Sequence, residues 1–271
     1  MKKLTILGVL TALIFTSCTK PTMNEHLLYE ELTPTEFRER IAEAPIAYLP
    51  LGTIEWHGEH LPLGSDGMQS REFFKELAKE TGGIVFPMLF LGPDNKVEQE
   101  DGSVLYGMDR GNFIDDPAQA YEPRQFDGSC YWIPDTLFYQ LIDAAMLQIS
   151  RAGFKIVVAH GHGPSTNQVR EYAPDLEMKY NLKILNCWGG DAGEGMGIMV
   201  DHAAMNETSL MMAFYPELVH MEYLPEDNWP AGVGGKDPRE FASAELGKEI
   251  IKNEKERMVK LIKEELEVLG K

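Results

Sequence analysis

The run Pro50-Leu51-Gly52-Thr53-Ile54-Glu55-Trp56-His57-Gly58-Glu59-His60-Leu61-Pro62-Leu63-Gly64-Ser65-Asp66 decides how the rest of the chain is read. It sets three carboxylates and two histidines directly after Ile46 to Leu51, an apolar segment that reads as a buried strand. If the strand continues through His57, side chains two apart face the same way, so Glu55 and His57 can reach one cation together while Trp56 faces the other side. Gly58, Pro62 and Gly64 then turn the chain back, and Asp66 becomes a third ligand at the far end of a tight loop. Oxygen and imidazole donors without thiolate suit zinc, manganese or a similar divalent ion, in catalytic rather than structural sites.

Working outward from this run, the flanks alternate strand and helix signals. Thr33-Pro34-Thr35-Glu36 is a capping box with proline in the first helical position, opening a helix to about Ala42. A helix from Met68 to about Glu80 closes at Gly82-Gly83, and Ile84 to Met88 reads as the next strand. Leu91 to Gly128 is a long polar stretch whose Asp94, Glu98, Glu100 and Asp101 match no EF-hand spacing and read as a solvated acidic loop. Pro134 to Ala152 carries a helical apolar stripe, and Lys155 to Ala159 and Leu182 to Leu185 are short strands. The last helix has its stripe at Ile250, Ile251, Met258, Leu261, Ile262, Leu266 and Leu269. Alternation of this kind implies an α/β fold: a three-layer sandwich around a mostly parallel central sheet. Sites in such sheets lie at the carboxyl ends of strands, where Glu55 falls.

The amino terminus has Lys2 and Lys3, an apolar stretch from Leu4 to Phe15, then Thr16-Ser17-Cys18. This describes a lipoprotein export signal over residues 1–17, a tether over 18–28 and one domain over 29–271. The expectation is a lipid on Cys18 and an extracytoplasmic protein anchored to a bacterial membrane, in the periplasm or at the cell surface. Losing the two lysines takes the formal net charge from −18 to −20. Such acidity argues against nucleic acid, which needs basic surface. The two remaining cysteines, Cys130 and Cys187, make no disulfide framework and are expected to be free and buried.

Two further stretches carry chemistry. His160-Gly161-His162-Gly163-Pro164-Ser165-Thr166-Asn167 follows the strand at 155–159, and Asp201-His202-Ala203-Ala204-Met205-Asn206-Glu207-Thr208-Ser209 follows a glycine-rich segment over 186–197. No G-x-G-x-x-G opens a helix at a place that would suit a dinucleotide, and the glycine-rich segment reads as a loop over the site.

Taken together, these stretches resemble the creatininase (creatinine amidohydrolase) family. The run at 52–66 is similar to that family's G-[ST]-x-E-x-H-G-x-H-L-P-L-x-[ST]-D, 201–209 resembles its D-x-H-A-G-x-x-E-T-S, and 232–247 resembles its closing glycine-rich segment before a last helix. The resemblance implies metal ligation by Glu55, His57, Asp66 and His162, with Glu207 at or beside the metals and His202 giving a proton to a leaving nitrogen. It implies two divalent ions per subunit, Zn2+ and/or Mn2+, and a homo-oligomer, commonly a hexamer. The activity it implies is hydrolysis of a C–N bond in a small or cyclic amide by attack of metal-activated water. Three departures stand out. His160 replaces an asparagine, Ala204 replaces a glycine, and Pro164 occupies the position where creatininases proper carry a glutamate that holds the second metal. Either His160 or a later acid substitutes for that glutamate, or one metal site alone is filled. The same departures frame the alternative of a metal- or ligand-binding lipoprotein that kept the fold without turnover. Residues 196–201 contain no aromatic to close over a planar ring, and Trp188 is the nearest tryptophan, so creatinine itself is not the expected substrate.

Overall fold

Six consecutive buried residues, Ile46–Leu51, form β1 at the centre of the molecule. The computed structural model describes residues 26–111, 116–189 and 196–270. β1 pairs in parallel with β2 (Ile84–Val85) on one side and with β5 (Ile156–Gly161) on the other, and β5 pairs in parallel with β6 (Lys183–Leu185). The sheet order is therefore β2-β1-β5-β6, and all of its pairings are parallel. A separate antiparallel hairpin, β3 (Lys96–Glu98) with β4 (Val104–Tyr106), lies within the long polar stretch.

Alternation along the central strands builds two cores, one on each face of the sheet. Ile46, Tyr48, Ile156 and Val158 pack with α2 (Ser65–Thr81), α5 (Met205–Phe214) and α7 (Ala244–Val268). Ala47, Leu49, Leu51, Val157 and Ala159 pack with α3 (Asp135–Arg151) and α4 (Gly163–Tyr180). α1 (Pro34–Glu43) joins this second layer through Phe37 and Ile41, and its capping box forms as the sequence predicts. A short α6 (Pro238–Phe241) precedes α7. The result is the three-layer α/β/α sandwich expected from the alternation of elements.

Several boundaries differ from expectation, each for a local reason. β1 itself ends at Leu51 as read, because its partner stops at Gly161, directly opposite, and the conditional continuation through Glu55 to His57 finds no ladder. Ile54 instead bridges Cys130 in antiparallel sense, and the Glu55 N–H donates to the Leu63 carbonyl. α2 begins at Ser65, which puts Asp66 in a helical first turn rather than at the far end of a loop. Leu27 is buried and Leu28 bridges Val85 in parallel, so the domain includes two residues read as tether, which cover the sheet edge at β2. Both cysteines are free, but Cys130 is exposed and Cys187 alone is buried. The leader and Cys18 lie outside the described residues, as does part of the glycine-rich segment over 186–197.

α7 approaches α5 closely enough that a Cβ on Gly247 would strike the Ser209 carbonyl. Gly247→Ala is expected to lower stability by about 1–3 kcal/mol through overpacking, read as a shifted urea midpoint at unchanged m-value. An unchanged midpoint would show that the two helices slide apart at no cost.

Candidate metal centre and active site

The sheet runs outward in opposite directions from the β1–β5 pair, which makes the gap between their carboxyl ends the topological switch point of the fold. Every candidate site residue gathers there. Beyond β1, Glu55 and His57 ride on a segment pinned by the contacts to Leu63 and Cys130 and by the Trp56 N–H, which donates to Ser129 Oγ at 2.8 Å. Trp56 itself turns away and stacks on Phe126, as expected. β5 ends at Gly161 with φ +149°, where any Cβ would overlap the Leu51 carbonyl. Only glycine lets the chain turn there, and the turn delivers His162 at the start of α4. Asp66 sits in the first turn of α2, where the helix dipole favours a carboxylate. Glu207 sits in the first turn of α5, whose start is capped by Asp201 accepting the Asn206 and Glu207 N–H groups.

These side chains form three overlapping groups, and Glu55, His57 and Asp66 each belong to two of them. Glu55, Asp66 and His162 bring one ligand atom each to within 4.8 Å of one another, and so do His57, Asp66 and Glu207. A third set joins Glu55 and His57 to His202. Individual spacings are 3.3 Å from His57 Nε2 to Asp66 Oδ1, 3.6 Å from His57 Nε2 to Glu207 Oε2, and 3.7 Å from His162 Nε2 to Glu55 Oε2. Glu55 and His57 thus fall together in one group, and Asp66 links each of them to a further one.

Asp94 also enters the site, which the sequence did not reveal. Its Oδ2 lies 3.4 Å from His162 Nε2 and its side chain is only 4% exposed, whereas Glu98, Glu100 and Asp101 on the hairpin are exposed as read. Gly107 makes room for it, since a Cβ there would overlap both Glu55 Oε1 and Asp94 Oδ2. His160 points elsewhere, its Nε2 against the Ile198 carbonyl at 3.1 Å and its ring edge-on to Trp188. Of the substitutes considered for the acid missing at Pro164, it is therefore Glu207 that completes the group with His57.

The electrostatics call for cations. Glu55, Asp66, Asp94 and Glu207 are all buried side chains, and their ion pairs among the described residues are with histidines only. Burial, then the charges of Asp94 and Asp66, push the Glu55 carboxyl well above its ordinary value. Burial does the same to Glu207, against the pull of His57. Burial would also depress His57, but Asp66 and Glu207 outweigh it and raise it to about 9. Asp66 falls to about 2 because the His57 charge and hydrogen bond overcome its burial. His162 Nε2 and Asp66 Oδ2 are buried with no hydrogen-bond partner, an arrangement that costs free energy unless something binds them. The far side of each ring is held: His57 Nδ1 donates to the Glu55 carbonyl at 3.1 Å, and His162 Nδ1 meets Ser165 Oγ at 3.0 Å. Each leaves Nε2 facing the carboxylates, as a metal-ligating histidine requires. The donor set therefore fits divalent cations of the zinc or manganese kind.

Glu55, Asp66, Asp94, His162, His202 and Glu207 open onto a cavity of about 510 Å³ that Trp188 also walls. His202 donates Nε2–H to the Trp56 carbonyl at 2.9 Å and lies ring to ring with His57 at 4.3 Å. Burial and the His57 charge hold it at about 3, so it is a neutral imidazole at pH 7.

A family model described as creatininase, creatinine amidohydrolase, matches residues 30–109 and 117–262. The chain belongs to the creatininase family. Creatinine amidohydrolase of Pseudomonas putida is 25% identical over 215 residues, covering 74% of this chain and 76% of the relative. The 3-dehydro-scyllo-inosose hydrolase of Thermotoga maritima is 21% identical over 209 residues, covering 72% and 58%. Among solved structures, a creatininase of the Zn–Zn type superposes with a TM-score of 0.65 at 19% identity, covering 89% of this chain and 98% of that one. A manganese creatininase superposes at 0.63 with 19% identity, covering 89% and 99%. This creatininase-family chain thus shares its three-layer fold with a Zn–Zn creatininase and with a manganese creatininase.

Proposed function

We propose that this creatininase-family chain hydrolyses a C–N bond of a small or cyclic amide, using two divalent ions, zinc or manganese, held around Asp66. The observation that carries the reading is the sharing of Asp66 by two buried ligand groups that open onto one cavity. Glu55 and His162 would complete one subsite, with Asp94 beside them, and His57 and Glu207 the other. When bound, such ions bring the pKa of water from 15.7 toward ~7 and polarise a carbonyl. The protein's own contribution is orientation and proton traffic. The Glu55 carbonyl and Ser165 fix the His57 and His162 rings, and the buried carboxylates stay fixed without bulk water. His202, its ring oriented by the Nε2–H that it donates to the Trp56 carbonyl, is the residue that would pass a proton to the departing nitrogen. The cavity admits a small molecule. The name of one relative carries creatinine and that of the other an inosose, so the substrate is sought among small ring compounds, amides first.

The test is metal content by plasma mass spectrometry on soluble protein, residues 19–271, beside a Glu55→Gln, His57→Ala double variant. Close to two equivalents in the unaltered chain, lost in the variant, and amide hydrolysis restored by zinc or manganese after chelation, are the expected results. Under a tenth of an equivalent after reconstitution would overturn the reading in favour of a binding protein on this fold.

A further inference from the structure

Two arginines reach the wall of the cavity, and they are not equivalent. Arg257 is fully engaged: its guanidinium meets Glu254 Oε2 at 2.7 and 2.9 Å and donates to the Gly189 carbonyl at 2.7 Å and the Cys187 carbonyl at 2.5 Å. It straps α7 to the segment that carries Trp188. Arg110 has no carboxylate partner among the described residues. Its Nε donates to the Gly107 carbonyl at 2.9 Å, within the 3-10 turn Gly107–Arg110, and that bond orients the side chain without consuming the two Nη groups. The same turn begins with Gly107, whose missing side chain admits Glu55 and Asp94. The arginine is therefore held a few residues from the metal-site wall by a turn packed against it.

The charge balance gives this position a meaning. Two divalent ions carry four positive charges, and Glu55, Asp66, Asp94 and Glu207 carry four negative ones. Asp201 lines the cavity as well, but its carboxylate is engaged by the Asn206 and Glu207 N–H groups, and among the described residues no carboxylate lies within ion-pair distance of Arg110. A half-buried guanidinium with a free fork matches a carboxylate in planar, bidentate fashion. Resting on the hydrolase reading above, we propose that the substrate is an anionic amide, and that Arg110 is the specificity residue that binds its carboxylate while the scissile amide lies at the metal centre.

The experiment compares acidic and neutral members of matched pairs on the zinc-loaded chain: 5-oxoproline with 2-pyrrolidinone, hydantoin-5-acetate with 5-methylhydantoin, and N-acetylglycine with N-methylacetamide. Binding is read by calorimetry, so turnover is not required. The expected result is preference for the acidic member in at least one pair, reduced about tenfold or more in Arg110→Met and partly kept in Arg110→Lys. The neutral member should change less than twofold, and metal content should not change. No acidic preference in any pair, or a preference that survives Arg110→Met because the carboxylate sits on the metal, would overturn the proposal. Metal content on the same samples separates the failures: loaded protein without acidic preference sinks the arginine assignment alone, and protein that takes up no metal sinks the hydrolase reading.

Discussion

Asp66→Asn is expected to empty both cation subsites together and to lower amide hydrolysis by about 10³-fold or more, on the scale of losing a principal electrostatic stabiliser. Asp66 is the residue common to the two groups proposed as subsites, and its two oxygens play different parts. Oδ1 lies 3.3 Å from His57 Nε2 and Oδ2 is buried without a partner. Asparagine keeps the shape and the helix position but replaces one oxygen with an NH2 that repels a cation. Glu207→Gln makes the comparison sharp, because Glu207 belongs with His57 and Asp66 and not with His162. It should cost about one equivalent of metal, where Asp66→Asn costs about two. Metal content per chain and the rate on whichever amide the unaltered chain turns over are the two readouts. An Asp66→Asn protein that still holds two equivalents would remove Asp66 from the centre of the site.

What the sequence made legible follows from how local each feature is. Glu55, His57 and Asp66 lie within one short stretch after a strand, so their convergence needs only a turn, which residues 58–64 make before α2 carries Asp66. His162 could be placed because the carboxyl end of β5 must lie beside that of β1 once the sheet is parallel. Glu207 and His202 came from a family pattern; nothing in the amphipathicity of α5 marks them, because its first seven residues are all buried. Asp94 was hidden by its neighbours. An acidic run on a polar segment is usually solvated, and three of its four acids are; the fourth lies just before β3, where the chain enters the hairpin, and faces inward into space that Gly107 leaves. The end of β1 at Leu51 was legible, but that the ladder does not resume at Glu55 was not. Strand length is set by where the partner strand stops, and that depends on Gly161, more than a hundred residues away. Arg110 likewise gains its meaning only from what lies beside it and from the partner it lacks.

Glu55→Gln is expected to raise the melting temperature of the chelated protein at alkaline pH while lowering its affinity for metal. Without cations, Glu55 is a buried carboxyl beside Asp94 and Asp66, and its pKa stands well above the ordinary value. A carboxyl raised in this way binds more protons folded than unfolded, so stability falls as pH rises through its folded pKa. His57, raised from 6.5 to about 9, has the same sign: its contribution is complete below 6.5 and lost as pH passes about 9. The chelated chain should therefore lose stability between pH 6.5 and 9. On the acid side His60 and His160, both lowered to about 4 by burial, remove stability as pH falls below 6.5. Glutamine imitates the protonated Glu55, donating to Asp94 without a charge to bury, at roughly 2–4 °C for each kcal/mol relieved. Metal should cancel the alkaline loss, since cations stabilise the ionised carboxylates and add RT ln(1 + [L]/Kd) to stability. Thermal melts of both chains across pH 6.5 to 9, with chelator and with zinc, decide the matter. Chelated protein that grows more stable toward pH 9, or a Glu55→Gln chain that melts below the unaltered one there, would mean that the four carboxylates are not in conflict and that the site was not built around cations.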